Sequence, residues 1–226
     1  MLLDFQYLLW IAPAVLLGLW AQYRVHATYA QAEKEPAPLS GAATARHILD
    51  SAGLQHVAIE QTPGHLSDHY DPRAKVLRLS PNVYMQRSMA AVGIAAHEAG
   101  HAIQDAKHYA PLVVRNLAVP VASFGSGIGM WLLMFGVILN MKPLLLVGIV
   151  LFGCVVVFQL INLPVEFDAS NRAKALLVEY GIVPQQDMRY VNRVLNAAAL
   201  TYVAATLQAV LTLLYYIMRF NGNSRD

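Results

Sequence analysis

Hydrophobic and polar positions in this chain are segregated on the scale of whole helices. Four runs carry no charged side chain: Phe5 to Tyr23, Val119 to Leu139, Leu144 to Ile161 and Ala197 to Met218. Each is close to the ~20 residues a helix needs to cross a bilayer core of ~30 Å, which predicts an integral membrane protein with four transmembrane helices. Only Asn140, Met141, Lys142 and Pro143 separate the second run from the third, so these two form a tight helical hairpin. Gly125, Gly127 and Gly129 in one arm and Gly148 and Gly153 in the other permit close packing. The first run carries Asp4 where a secretory signal would be basic, and no small-residue cleavage pattern follows it, so it reads as a retained span.

The polar segments have their own periodicity. Gln31 to Pro38 reads as a linker. Ser40 is a plausible N-cap for a short helix with Ala45, Ile48, Leu49 and Ala52 at helical spacing and Gly53 as its stop. Val57 to Glu60 alternates, and Val76, Leu77 and Leu79 make a second β-like run, so a short β-hairpin is expected with a long turn-rich loop between. Ser80 and Pro81 then signal a helix reaching Ala106 without another proline. After the third apolar run, Pro164 can open a helix that Gly181 closes, and a further helix from about Pro184 leads into the fourth run. The expected organisation is a first transmembrane helix over 1–24, a polar α+β region over 25–117, a transmembrane hairpin over 118–162, a helix over 163–193, and the last span with its tail over 194–226.

Composition agrees with the pattern. Apolar residues are 57% of the chain and charged ones 13%, against a typical quarter. A net charge of +2 is too small to suggest nucleic acid as a partner, so the lipid bilayer is the partner the composition points to. The single cysteine, Cys154, lies in the third apolar run, which excludes an intramolecular disulfide and a cysteine-based zinc site.

Candidate chemistry sits in AAHEAGHAIQD, residues 95–105. In this H-E-x-x-H pattern His97 and His101 lie one turn apart on one helix face and can both ligate one Zn²⁺, while Glu98 beside them can act as general base. Met89 to Ala96 is almost wholly apolar, so the helix is largely buried, and two histidines with a glutamate are costly there without a partner. A catalytic zinc needs a third protein ligand. Glu166, Asp168, Glu179 and Asp187 are the acidic residues after the hairpin, and Glu166 is favoured because it starts the helix returning from the membrane. On a helix Asp168 would point about 200° away from Glu166, leaving it to orient a ligand from behind, or to ligate if the first turn unwinds at Pro164.

H-E-A-G-H-A-I-Q, the upstream S-D-H-Y-D-P and R-L-S segments, and L-P-V-E-F-D-A-S after a membrane hairpin together resemble the YugP-type family of bacterial zinc-dependent membrane peptidases, from the first span to the end of the chain. The layout is more distantly similar to the HtpX and CaaX prenyl protease group. The resemblance implies a zincin-like α+β catalytic region at the surface of the bacterial inner membrane, one zinc ion, and a polypeptide substrate. It implies that His97, His101 and Glu166 are the ligands and Glu98 the base. In the distant group an aspartate four residues after the ligand glutamate supports the site; here Ser170 stands at that position and Asp168 two residues earlier.

Further support for the site or its transition state is sought at His65 and His69 in the long loop and at Tyr109 after the metal helix. Asp68 and Asp71 serve equally well as turn residues. The reading is a membrane metalloprotease acting on membrane-associated or misfolded polypeptides. The rival is a non-catalytic metal-binding membrane scaffold or receptor, which would have no need of Glu98. A zinc transporter would want ionisable residues within its spans. Arg24, Lys34, Lys107, Arg115, Arg172, Lys174, Arg189 and Arg193 outnumber Lys142, Arg219 and Arg225 on the opposite side, so the positive-inside rule puts the catalytic side in the cytoplasm.

Overall fold

The computed structural model describes residues 5–222, so Asp4 and Arg225 lie outside the described residues. In chain order the elements are α1 (Phe5–Ala32), α2 (Gly41–Ser51), β1 (Ala58–Gln61), β2 (His69–Asp71), β3 (Val76–Leu79), α3 (Pro81–Met85), α4 (Met89–Ala106), α5 (Ala110–Phe124), a π-helical stretch (Gly125–Gly129), α6 (Met130–Ile138), α7 (Lys142–Glu179) and α8 (Met188–Gly222). Four helical segments among the described residues are long and apolar enough to cross a membrane: Phe5–Ala32, Ala110–Ile138, Lys142–Glu179 and Met188–Gly222. The fold is mostly helical with one small mixed sheet. The chain divides into two compact units, one of residues 1–21, 113–164 and 200–226, the other of 22–112 and 165–199.

The first unit is built around Leu133, Leu145, Phe152, Val156, Ala209 and Tyr215. Its hairpin is close because glycine lines both arms. A Cβ on Gly125 would stand 2.4 Å from the Leu151 carbonyl oxygen, one on Gly136 2.7 Å from the Leu145 nitrogen, and one on Gly148 2.7 Å from the Leu133 nitrogen. Gly127 and Gly153, expected to share this role, would meet nothing within 4 Å. Gly136, not singled out from the sequence, takes their place.

The second unit has its core around α4. Ala91, Val92, Ala95, Ala96 and Ala99 of that helix pack with Ile48 and Leu49 of α2, Leu77 and Leu79 of β3, Leu177 of α7 and Val191 of α8. Helix α2 begins as its sequence suggests, with the Ser40 hydroxyl accepting from the Ala43 N–H, and Gly53 follows its end at φ +75°. The expected single helix from Ser80 to Ala106 is two. Helix α3 ends at Met85, and α4 starts afresh at Ser88, whose buried hydroxyl accepts from the Ala91 N–H. The extended residues between them are held by a bridge between Pro36 and Ser88.

The strands also differ from expectation. β1 and β3 are not a hairpin; they run parallel, Ala58 opposite Val76 and Gln61 opposite Leu79. The loop between them contributes β2, antiparallel to β3, giving the order β1-β3-β2. The tight turn is therefore at Asp71, whose Oδ1 accepts from the N–H groups of Arg73 and Ala74 before Lys75 turns at φ +54°. A three-residue strand rich in polar atoms leaves almost no hydrophobic alternation to read.

Nor does Pro164 begin a helix. It lies inside α7, which runs unbroken from Lys142 to Glu179. Proline removes one backbone hydrogen bond there, but Val165, Ala169, Ala173 and Leu177 follow at four-residue spacing, all fully buried, and their packing keeps the backbone helical.

The Ser88 cap is testable. Ser88→Ala should lower the unfolding free energy by about 0.5–2 kcal/mol, followed by circular dichroism in denaturant. An unchanged midpoint would show that α4 starts without it.

Candidate metal centre

Helix α4 brings His97 and His101 to one face, as four-residue spacing requires. Helix α7 brings Glu166 opposite them. His97 Nε2 lies 3.3 Å and His101 Nε2 3.6 Å from the same Glu166 oxygen, Oε2. The three side chains each offer one ligand atom within 4.8 Å of the others. Two ligands at tetrahedral zinc distances stand about 3.3 Å apart, so the spacing fits a shared ion. The donors also fit: two imidazole nitrogens and a carboxylate oxygen suit zinc.

The protonation pattern points the same way. Gln104, completely buried one turn beyond His101, donates from Nε2 to the Val165 carbonyl (2.8 Å) and to Asp168 Oδ2 (2.8 Å). Two acceptors on the amide nitrogen leave its oxygen facing His101 Nδ1 at 3.0 Å, so that ring nitrogen must carry the proton. Nε2 of neutral His101 is then a lone pair aimed at a carboxylate. His97 is held similarly, its Nδ1 3.1 Å from the Ser170 hydroxyl. Two imidazole nitrogens and a carboxylate oxygen converging in this way need a cation between them, either a metal ion or a proton. His101 registers the demand. Burial disfavours its charge, but Glu166, Glu98 and the Gln104 oxygen together outweigh burial and raise its pKa above the ordinary histidine value.

The approach of the two helices depends on a glycine. A Cβ on Gly100 would stand 2.8 Å from the Ala169 carbonyl oxygen. Gly100 therefore admits the α7 backbone. Asp168 touches neither histidine. Its Oδ2 accepts from Gln104 and from Arg172 Nε, so it acts on His101 through Gln104. Gln104 is the residue that sequence reading missed. Its signal was present, a buried polar residue three positions after a ligand histidine, but a glutamine on a helix is ordinarily read as surface.

The remaining candidates lie elsewhere. Glu98 is buried and outside the three-residue cluster, close enough for its charge to act on His101. Tyr109 lies under the Arg172 guanidinium, 5.8 Å from its ring centre. His65 is exposed, with its ring 5.3 Å from that of Tyr29, and His69 Nδ1 lies 2.8 Å from the Ser67 carbonyl oxygen. Neither joins the cluster. Asp68 accepts from both the N–H and the hydroxyl of Ser80, pinning the loop to the start of α3; its pKa is nevertheless raised, because burial outweighs those bonds.

Residues 7–221 match the model of a protein family described as "Putative neutral zinc metallopeptidase". The chain is 46% identical over 215 residues to "Putative membrane protease YugP" of Bacillus subtilis (strain 168), covering 94% of this chain and 95% of that protein. No solved structure matches the chain.

Gln104→Leu removes both the acceptor for His101 Nδ1–H and the donor to Asp168. Zinc affinity should fall by about 10- to 100-fold, measured by competition with a chromophoric chelator. Unaltered affinity in a folded variant would show that the amide does not orient the ligand.

Proposed function

The chain belongs to this neutral zinc metallopeptidase family, and from that premise we propose that it is a membrane metalloendopeptidase in which His97, His101 and Glu166 hold one zinc ion and Glu98 is the general base. The observation that carries the reading is the convergence of two imidazole Nε2 atoms and one carboxylate oxygen, with each imidazole's far nitrogen already engaged. When bound, zinc would supply Lewis acidity, lowering the pKa of a water and polarising the substrate carbonyl.

The side chains do the rest. Glu98 takes the proton from the attacking water and returns it to the departing amine. Gln104 keeps His101 in the tautomer that presents the Nε2 lone pair, Ser170 orients the His97 ring through Nδ1, and Asp168 holds Gln104 in place. A zinc site kept for structure alone would need no carboxylate at Glu98, which favours the enzyme over a scaffold or receptor. Membrane-associated or misfolded polypeptides are the inferred substrates, since the chain carrying this site also carries four apolar helices of membrane-spanning length. The excess of Lys and Arg in the segments around the site supports a cytoplasmic orientation of that side in a bacterial cell, by the positive-inside rule.

Glu98→Gln should leave zinc stoichiometric and abolish cleavage of an unfolded polypeptide; undiminished cleavage would remove the assignment. Metal analysis separates the two carboxylates of α7. Glu166→Ala should lose zinc almost entirely, and Asp168→Ala should weaken it by about 10- to 100-fold. Tight zinc in Glu166→Ala with loss in Asp168→Ala would reverse their roles. A cysteine introduced as Glu33→Cys should resist an impermeant thiol reagent in intact cells, and ready labelling would reverse the orientation.

A further inference from the structure

A cavity of about 600 Å³ lies between the end of α2, the end of α4 and the part of α7 beyond Asp168. Its walls differ in character. Lys107 and Arg172 supply positive charge, and none of the residues lining it is acidic. Arg172 donates to Asp168 through Nε, which leaves the two terminal nitrogens of its guanidinium fork for another anion. Lys107 is exposed, and among the described residues no carboxylate lies within ion-pair distance of it. Leu54, Ile103 and Leu176 make an apolar floor. Ser51 and Ala52 also line it and bring the C-terminal end of α2, where the Ile48, Leu49 and Asp50 carbonyls already accept from Ala52, Leu54, Gly53 and Gln55, and the Ser51 hydroxyl with the Ser51 and Ala52 carbonyls remains as acceptors for N–H groups.

We infer that this cavity binds the free C-terminal end of a polypeptide: the α-carboxylate between Lys107 and Arg172, an apolar last side chain on Leu54, Ile103 and Leu176, and the adjoining amide N–H groups towards the end of α2. A fatty acid would satisfy the cations and the floor but has no N–H for the acceptor wall. An internal segment of chain carries a carboxylate for the cations only where it contains Asp or Glu. As a substrate-recognition site the cavity rests on the peptidase reading above; binding of the peptide end does not. The anion is also linked to the metal centre, because Arg172 shares Asp168 with Gln104, which holds His101.

Calorimetry on the full-length protein in detergent, zinc-loaded and carrying Glu98→Gln to prevent turnover, tests this. The probes are a hexapeptide ending in Leu-Phe as its free acid, the same peptide as its C-terminal amide, and octanoate. The acid should bind at least tenfold more tightly than the amide and than octanoate. Lys107→Gln should erase the preference for acid over amide, and Lys107→Arg should keep it. Equal binding of acid and amide, octanoate binding as tightly as the acid, or a preference that survives Lys107→Gln would each overturn the proposal. Cleavage by the unsubstituted protein is assayed in parallel. Cleavage without an acid preference overturns the cavity assignment alone, and an acid preference without cleavage upholds it while the peptidase reading falls.

Discussion

Three hydrogen-bond acceptors turned towards one another in a buried space are tolerable only around a cation, and that constraint governs the second unit. His97, His101 and Glu166 meet with the far nitrogen of each imidazole already engaged, so no rotation of one ring relieves the others. Everything that brings them together follows from two helices packed unusually close. Eight of the fourteen buried residues of α4 are alanine or glycine, and Gly100 lies against the Ala169 carbonyl. A larger residue there would act on metal geometry without touching a ligand.

Asp168 gives the site depth. It is part-buried and shared between Arg172 and Gln104, so a charge on the outer side of α7 is relayed through an amide to an imidazole. The relay has a fixed polarity: carboxylate, amide N–H, amide oxygen, ring N–H, ring lone pair. Each member determines the proton position on the next, and only the last faces the reacting side.

Much of this was legible in the sequence because the relevant signals were local and periodic. The four spans followed from run length, and the pairing of His97 with His101 from helical spacing. Helical angle allowed only one of Glu166 and Asp168 to face the histidines, and the place of Glu166 where the chain returns from the third apolar run, with the resemblance, favoured it; the structure brings Glu166 and Ser170 to the histidines and turns Asp168 to Gln104. What stayed hidden depended on contacts across the chain. β2 has three residues and little alternation, so the hairpin was drawn between the wrong strands. The break before α4 depended on Ser88, a weaker signal than Ser80 followed by proline. Continuity through Pro164 depended on the buried stripe after it, whose packing partners lie far off in sequence.

The contact between Ser170 and His97 joins positions 73 apart, and the apolar hairpin from Ala110 onward lies in the intervening chain. With a single cysteine the protein cannot close such a loop by a disulfide. An ion shared by His97, His101 and Glu166, as proposed, would close it by coordination and withhold the entropy of a loop that long from the unfolded chain. With zinc held there as proposed, metal supply would bear on the lifetime of the polypeptide as well as on its chemistry, because a copy without the ion would lack that long-range cross-link.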